Sequence, residues 1–381
     1  MSTSILAPGH VARRVWPALL LAALAWQGVA RAQAGEALPP LSALPSPLPY
    51  GLISETDYAQ RFEQEVLPLW RAQVERGRFK GAGGLMLEYA RVAVPNERGA
   101  VVIVSGRTEN LLKYQEVVAD LVRQGYSVYI HDHRGQGFSP RLLAEREKGH
   151  VERFDDYVDD LQAFLADVVR QGRHTTLLLL AHSMGGAIAS RHLERFPGTF
   201  AAAALSSPMH QPNAKILISA DSSCGWFRAT GWAFSEQWAG WAAKPYGHVD
   251  YDDATNDYTH SPARWAQVLK VERERPEVRL GGPTRGWVSE ACAASAKLIA
   301  DAGLISTPVL VLQAGADTAV TAAGQAEFCT ALASGTQRRC ETGGPRTIEG
   351  ARHELLIEAD RYRVPAMSAI LEFFSRHQAR P

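Results

Sequence analysis

The chain has 381 residues, 46% hydrophobic and 21% charged, with 40 Lys and Arg against 40 Asp and Glu. A formal charge of zero excludes the clustered excess of cations that a nucleic-acid surface needs. This length and apolar content exclude a disordered chain and leave room for one large core, or a core carrying an inserted subdomain.

The first 32 residues read as a signal peptide. Arg13 and Arg14 precede the apolar stretch Val15–Val29, and small-residue cleavage patterns follow at Ala30-Arg31-Ala32 and Ala32-Gln33-Ala34. The stretch is shorter than the roughly 20 residues of a membrane-spanning helix, so a cleaved signal is expected over a retained anchor. The protein is therefore expected to be exported, periplasmic or secreted, with membrane association as the alternative. Cys224, Cys292, Cys329 and Cys340 would then enter an oxidising compartment, where disulfides become plausible. Four cysteines allow three pairings. The short separation of Cys329 and Cys340 makes that pair the first choice, leaving Cys224 with Cys292. No CxxC or Cys/His cluster suggests a metal.

Residues 33–49 are rich in proline and suit a linker. From Tyr50 the pattern becomes that of a folded domain. Thr56–Arg76 has helical periodicity, with Pro68 as a kink or break. Strands are expected at Ala100–Val104, Tyr126–Ile130, Leu177–Leu180 and Ala201–Leu205, with helices at Leu111–Val122, Phe154–Val169 and from Ser183 to about Phe196. This alternation predicts an α/β protein with a mostly parallel, doubly wound sheet. After Pro208 the rhythm stops for roughly ninety residues, which reads as an insertion. It resumes near Lys297, with a further strand at Pro308–Leu312. The expected organisation is a core over 50–208 and 297–381, with a mainly helical cap over 209–296. That cap holds six of the nine tryptophans, and Phe234, Trp238 and Trp241 recur at helical spacing. They are expected either to form the cap's own core or to make an aromatic lid over an acyl-chain pocket, in touch with a membrane surface.

The chemistry centres on Leu177–Ile188, an apolar run turning through Ala181-His182-Ser183-Met184-Gly185 into a helix. This is the pattern of a nucleophile elbow, where a strained turn lifts a serine hydroxyl above the sheet edge. The small residues Ala181 and Gly185 clear the space the turn needs, although glycine is usual at the first position. A serine nucleophile requires a base, an acid that orients the base, and donors for the oxyanion. Asp317, just past the strand ending at Leu312, and His353, past the run Arg346-Thr347-Ile348, supply acid and base at the sheet edge where catalytic groups of parallel sheets gather. The oxyanion donors expected are the backbone N–H of Met184, which begins a helix, and that of Arg107, in the loop after Ala100–Val104. Asp132-His133-Arg134-Gly135-Gln136-Gly137 imitates a dinucleotide loop, but Pro140 occupies the third glycine's place, so it reads as a structural turn. His182 should point away from Ser183 and support the loop. No metal or organic cofactor is implied.

These residues resemble the α/β-hydrolase superfamily, and more closely the bacterial lysophospholipases related to monoglyceride lipases. The resemblance rests on Ser105–Glu109 with Lys113-Tyr114, on the 132–137 turn, on the elbow, on Thr259-His260-Ser261 and Gly281-Gly282-Pro283-Thr284 with Trp287, and on Gly350–Glu354. It implies Ser183 as nucleophile, Asp317 as orienting acid and His353 as base, in a serine hydrolase that releases fatty acid from a lysophospholipid or another small lipid ester. The alternatives are a monoacylglycerol lipase or general esterase, a serine aminopeptidase and a non-catalytic lipid-binding protein. A peptidase would need an acidic pocket for a free amine, of which the apolar cap gives little sign.

Overall fold

The computed structural model describes Met1 and residues 47–213, 220–240, 243–247, 250–335 and 339–378. The signal-peptide stretch and most of the proline-rich segment fall outside the described residues.

The first helical segment is continuous but changes pitch. It runs through α1 (Tyr58–Arg61), a π turn at Phe62–Val66 and α2 (Leu67–Gln73), with Pro68 in the first turn of α2. A proline there forfeits a backbone donor without breaking the helix. The helix ends before the expected Arg76, because Val74 turns extended and Glu75–Lys80 becomes β1, paired antiparallel with β2 (Met86–Val92). This hairpin escaped the sequence reading. In β1 only Phe79 is buried, so the hydrophobic alternation of a strand is missing; charged pairs such as Arg91 with Glu75 at 2.7 Å line it instead.

The rest alternates as expected. β3 (Gly99–Val104) leads through a loop over 105–110 and a 3-10 turn at Leu111–Tyr114 into α3 (Gln115–Arg123) and β4 (Tyr126–His131), followed by α4 (Asp155–Asp167), β5 (Leu177–His182), α5 (Met184–Arg195) and β6 (Ala202–Ser206). Between β6 and the next strand lie α6 (Ala220–Thr230), α7 (Pro262–Glu274) and α8 (Arg285–Asp301). The chain then completes β7 (Val309–Ala314), α9 (Ala322–Gly335), β8 (Arg346–Ile348) and α10 (Asp360–His377). The strand order is β1-β2-β4-β3-β5-β6-β7-β8, with β3 to β8 parallel and the first two strands antiparallel.

Period-two alternation in the central strands feeds two cores. Val102, Val104, Leu179, Ala181, Leu205 and Val311 pack with side chains of α4, α5, α8 and α9 on one face. Val101, Ile103, Leu178, Leu180, Ala204 and Leu312 pack with α3 and α10 on the other. Burial on both faces explains why these strands read as unbroken apolar runs.

The segment between β6 and β7 is helical but tied to the core in ways its composition did not suggest. Buried Arg264 on α7 pairs with Glu116 of α3 at 3.0 Å and Asp360 of α10 at 3.0 Å, and donates to Ile53 O at 2.9 Å. The expected boundary at 296 falls inside α8. Phe234, Trp238 and Trp241 do not share a helix: Phe234 has a φ of 57°, Trp238 bridges to Thr284, and Trp241 lies outside the described residues. Trp226, Trp232 and Phe234 are exposed, whereas Trp287 is buried in the main core. The cysteines pair as 224 with 292, joining α6 to α8, and 329 with 340.

Candidate active site

Ser183 sits between β5 and α5 with φ 51° and ψ −120°, a strained conformation for a residue with a side chain. Three backbone hydrogen bonds hold it there: Ser183 N donates to Ser206 O at 3.1 Å, and Ser183 O accepts from Gly186 N and Met209 N, both at 2.8 Å. The crowding explains the small neighbours. A Cβ at Gly185 would lie 2.1 Å from Val104 O, and one at Gly186 would lie 2.4 Å from Pro208 Cβ. Ala181, inside β5, packs without exposure between Val104 and Leu205, so its methyl group is accommodated.

The structure brings Ser183, His353 and Asp317 together. His353 Nε2 is 2.9 Å from Ser183 Oγ, and His353 Nδ1 is 2.7 Å from Asp317 Oδ2. The other carboxylate oxygen of Asp317 accepts from Ala319 N at 2.8 Å and Val320 N at 3.1 Å, which aims the acid. The two loops that carry the pair are clamped to each other, Gly315 N to Ile348 O at 3.0 Å and Ala316 N to Ala351 O at 2.8 Å. Asp317 and His353, 36 residues apart, are thereby held in register at one sheet edge.

Met184 opens α5, where helix N–H groups point toward Ser183. Arg107 follows Gly106, and the loop around it is fixed from several directions. Gly106 N donates to Glu109 Oε2, Gly106 O accepts from Gln136 Nε2 at 2.7 Å, and His133 Nε2 donates to Ser105 O at 3.0 Å. Burial depresses the His133 pKa to about 4, so the ring is neutral and can carry its proton on Nε2. The turn at 132–137 is structural, as expected, and its task is to brace this loop. Asp132 accepts from Leu111 N and Phe138 N, both at 2.7 Å, and the turn needs glycine at 137, where φ is +55° and a Cβ would meet the Asp132 carboxylate at 2.3 Å.

Behind the triad lies a buried charge network that spacing alone did not predict. Lys113 Nζ is 2.5 Å from Glu109 and 2.7 Å from Glu354, and Tyr114 OH donates to Glu109 at 2.6 Å. His182 points away from Ser183, as expected. Its Nδ1 is 3.1 Å from Ser206 O, and its Nε2 is 3.3 Å from Glu354. Burial alone would lower the His182 pKa, but Glu354 and Glu109 outweigh it and raise the value. Glu354 is likewise penalised by burial, yet Lys113 and His182 hold it well below the usual range. Glu109, His182 and Glu354 stand close enough to share a cation. The Lys113 ammonium already bridges the two carboxylates.

A cavity of about 950 Å³ opens from Arg107 and Glu354 toward the segment between β6 and β7, with apolar wall from Phe227, Trp265, Leu269 and Val288. Asp250, Asp257 and Glu272 also line it, carboxylates that the aromatic composition of this segment did not announce.

Similarity to known proteins agrees with this geometry. The family described as serine aminopeptidase, S33, matches residues 95–360. The chain is 38% identical to lysophospholipase L2 of Escherichia coli over 317 residues, covering 81% of this chain and 90% of that one. It is 31% identical to the probable lysophospholipase L2 of Haemophilus influenzae, covering 85% and 99%. A solved soluble variant of monoglyceride lipase from Saccharomyces cerevisiae, bound to a substrate analogue, superposes with a TM-score of 0.63 at 16% identity, covering 81% of this chain and 96% of that one. An elbow between β5 and α5, an acid and a histidine at the exits of β7 and β8, and relatives matched over most of their length together establish that the chain belongs to this α/β-hydrolase family.

Proposed function

We propose that the protein is an exported serine lysophospholipase whose triad is Ser183, His353 and Asp317. The observation that carries the reading is the continuous hydrogen-bonded chain from Ser183 Oγ through His353 to Asp317, beside a cavity large enough for a lipid ester. His353 Nε2 takes the hydroxyl proton as Ser183 Oγ bonds to the acyl carbonyl carbon. The N–H groups of Met184 and Arg107 stabilise the oxyanion, and Asp317 holds the imidazole tautomer and its developing charge. Collapse breaks the ester C–O bond, and His353 returns the proton to the leaving glycerol oxygen. Water then hydrolyses the acyl-enzyme by the same route. Apolar cavity wall favours long acyl chains at about 0.8 kcal/mol per buried CH₂.

Export is supported by the targeting pattern at Arg13–Ala34 and by two disulfides, which persist in oxidising compartments. Exposed Trp226, Trp232 and Phe234 favour transient contact with a lipid surface, since aromatic rings settle at that boundary. Asp250, Asp257 and Glu272 in the cavity favour one second reading, an aminopeptidase that holds a free amine. Both readings are ranked by fluorophosphonate labelling of the parent and of Ser183→Ala, combined with turnover of lysophosphatidylcholine, monoacylglycerol and aminoacyl amides. The lysophospholipase reading expects Ser183-dependent labelling and fastest release of fatty acid from the lysophospholipid. Labelling that survives Ser183→Ala, or preferential amide cleavage, would overturn it.

A further inference from the structure

The loop that presents the Arg107 N–H to the oxyanion also carries a cation without a counterion. The Arg107 side chain lines the cavity, its Nη2 donates to Gly281 O at 2.5 Å, and its guanidinium carbon stands 5.2 Å from the centre of the Trp287 ring. Its Nε is closed off from solvent and has no hydrogen-bond partner. Among the described residues no carboxylate forms an ion pair with it. Burial lowers its pKa to about 10, and the groups that act against this are the phenols of Tyr258 and Tyr157, not acids. Lys113 lines the same cavity but is neutralised by Glu109 and Glu354. Space for the guanidinium is kept by Gly149, where a Cβ would come within 2.7 Å of Nη2 and 3.2 Å of Nε.

A half-buried cation without an anion is costly to the fold, and a guanidinium is the side chain best matched to a phosphate. We propose that the Arg107 side chain is the phosphate subsite of this active centre, a specificity-determining contact that binds the phosphodiester of a lysophospholipid while the same residue's backbone N–H faces the acyl carbonyl. The proposal rests on the lysophospholipase reading. It fits the geometry of the substrate. As many bonds separate a backbone nitrogen from its own guanidinium carbon as separate the acyl carbonyl carbon from the phosphorus of a 1-acyl lysophospholipid. One residue can therefore span both groups. The carboxylates of Asp250, Asp257 and Glu272 line the same cavity, on which the ammonium end of a zwitterionic head group would be drawn.

The test compares kcat/KM for lysophosphatidylcholine and for a monoacylglycerol with the same acyl chain, short enough to stay monomeric, in the parent, Arg107→Met, Arg107→Lys and Gly149→Ala. Loss of a charge-assisted contact made only by the phospholipid should lower the phospholipid-to-glyceride ratio by about tenfold to a hundredfold in Arg107→Met. Arg107→Lys should recover part of the ratio, and Gly149→Ala, which keeps the charge but displaces it, should lower the ratio in the same direction. An equal fall for both substrates would mean that Arg107 only latches Gly281, and an unaltered ratio would mean that the phosphate binds elsewhere; either overturns the subsite while leaving the lysophospholipase reading intact. A parent that labels at Ser183 but turns over neither lipid would remove that reading, and the subsite with it.

Discussion

Gly185→Ala is the most economical probe of how the fold builds the site, because one methyl group strikes the oxyanion loop from behind. The added Cβ would lie 2.1 Å from Val104 O and 2.5 Å from Ser105 O, both backbone atoms that cannot rotate aside. To reach an ordinary contact of 3.4 Å, the end of β3 or the start of α5 must retreat by about 1.3 Å. Those segments lead directly into Arg107 N and Met184 N. A misplacement of about 1 Å costs on the order of a hundredfold in rate, similar to the loss of one oxyanion donor. Overpacking of this kind costs about 1–3 kcal/mol of stability, too little by itself to unfold a domain of this size. The expected outcome is therefore a folded protein whose fluorophosphonate labelling and ester turnover fall about a hundredfold. Urea unfolding measured in parallel separates the two effects. Gly225→Ala serves as control, because its Cβ would meet nothing within 4 Å and a helix interior prefers alanine by about 1 kcal/mol. Labelling of Gly185→Ala within about threefold of the parent would refute the claim that β3 and α5 jointly position the donors.

Three further outcomes are expected. Asp317→Asn should lower turnover by about 10⁴-fold without loss of fold, because the amide keeps the acceptor for Ala319 N but favours the wrong imidazole tautomer; steady-state kinetics alongside circular dichroism reports both. Replacing both Cys224 and Cys292 by serine should cost about 4 kcal/mol, and replacing Cys329 and Cys340 about 3, since the sequence separations are 68 and 11; denaturant titrations that reverse this order would contradict the chain-entropy account. His182, with its pKa raised in the folded state, contributes stability that is complete below pH about 6.5 and is lost as pH rises through the raised value, whereas Glu354, held low, loses its share only on acidification below about 4.5. Above about pH 6.5 the parent's unfolding free energy should thus decline with pH more steeply than that of His182→Gln, and parallel curves would show that the network does not raise the ring's pKa.

How legible each feature is in the sequence follows from how local its cause is. The elbow is readable because its constraints lie within five residues: a positive φ at Ser183 and close approach at Gly185 demand a particular run of side-chain sizes. The parallel strands are readable because burial on both faces leaves unbroken apolar runs at residues 100–104, 177–181 and 309–312. Asp317 and His353 stand out through position, each just past a strand. β1 is missed because an edge strand satisfies itself with ion pairs and leaves no apolar alternation. The helical spacing of Phe234 and Trp238 is not realised as a helix, because spacing carries no signal for the left-handed turn at Phe234.

The charge network and the cavity wall obey a different logic. Glu109, Lys113, His182 and Glu354 come from three separate stretches of chain, and Arg264 reaches partners on α3 and α10; no window of sequence contains both halves of such a contact. A lone Glu or Lys is most often solvated, so only the folded chain distinguishes the buried ones. Catalytic chemistry depends on a stereotyped set of short contacts around Ser183, and these leave a local imprint. The substrate selection proposed above would depend on Arg107 lacking a counterion and on Asp250, Asp257 and Glu272 sharing a cavity with it, and a missing partner leaves no imprint at all. The reaction is therefore more tightly constrained by this sequence than the substrate is. Measurements of head-group selectivity consequently carry more information about the protein than further substitutions within the triad.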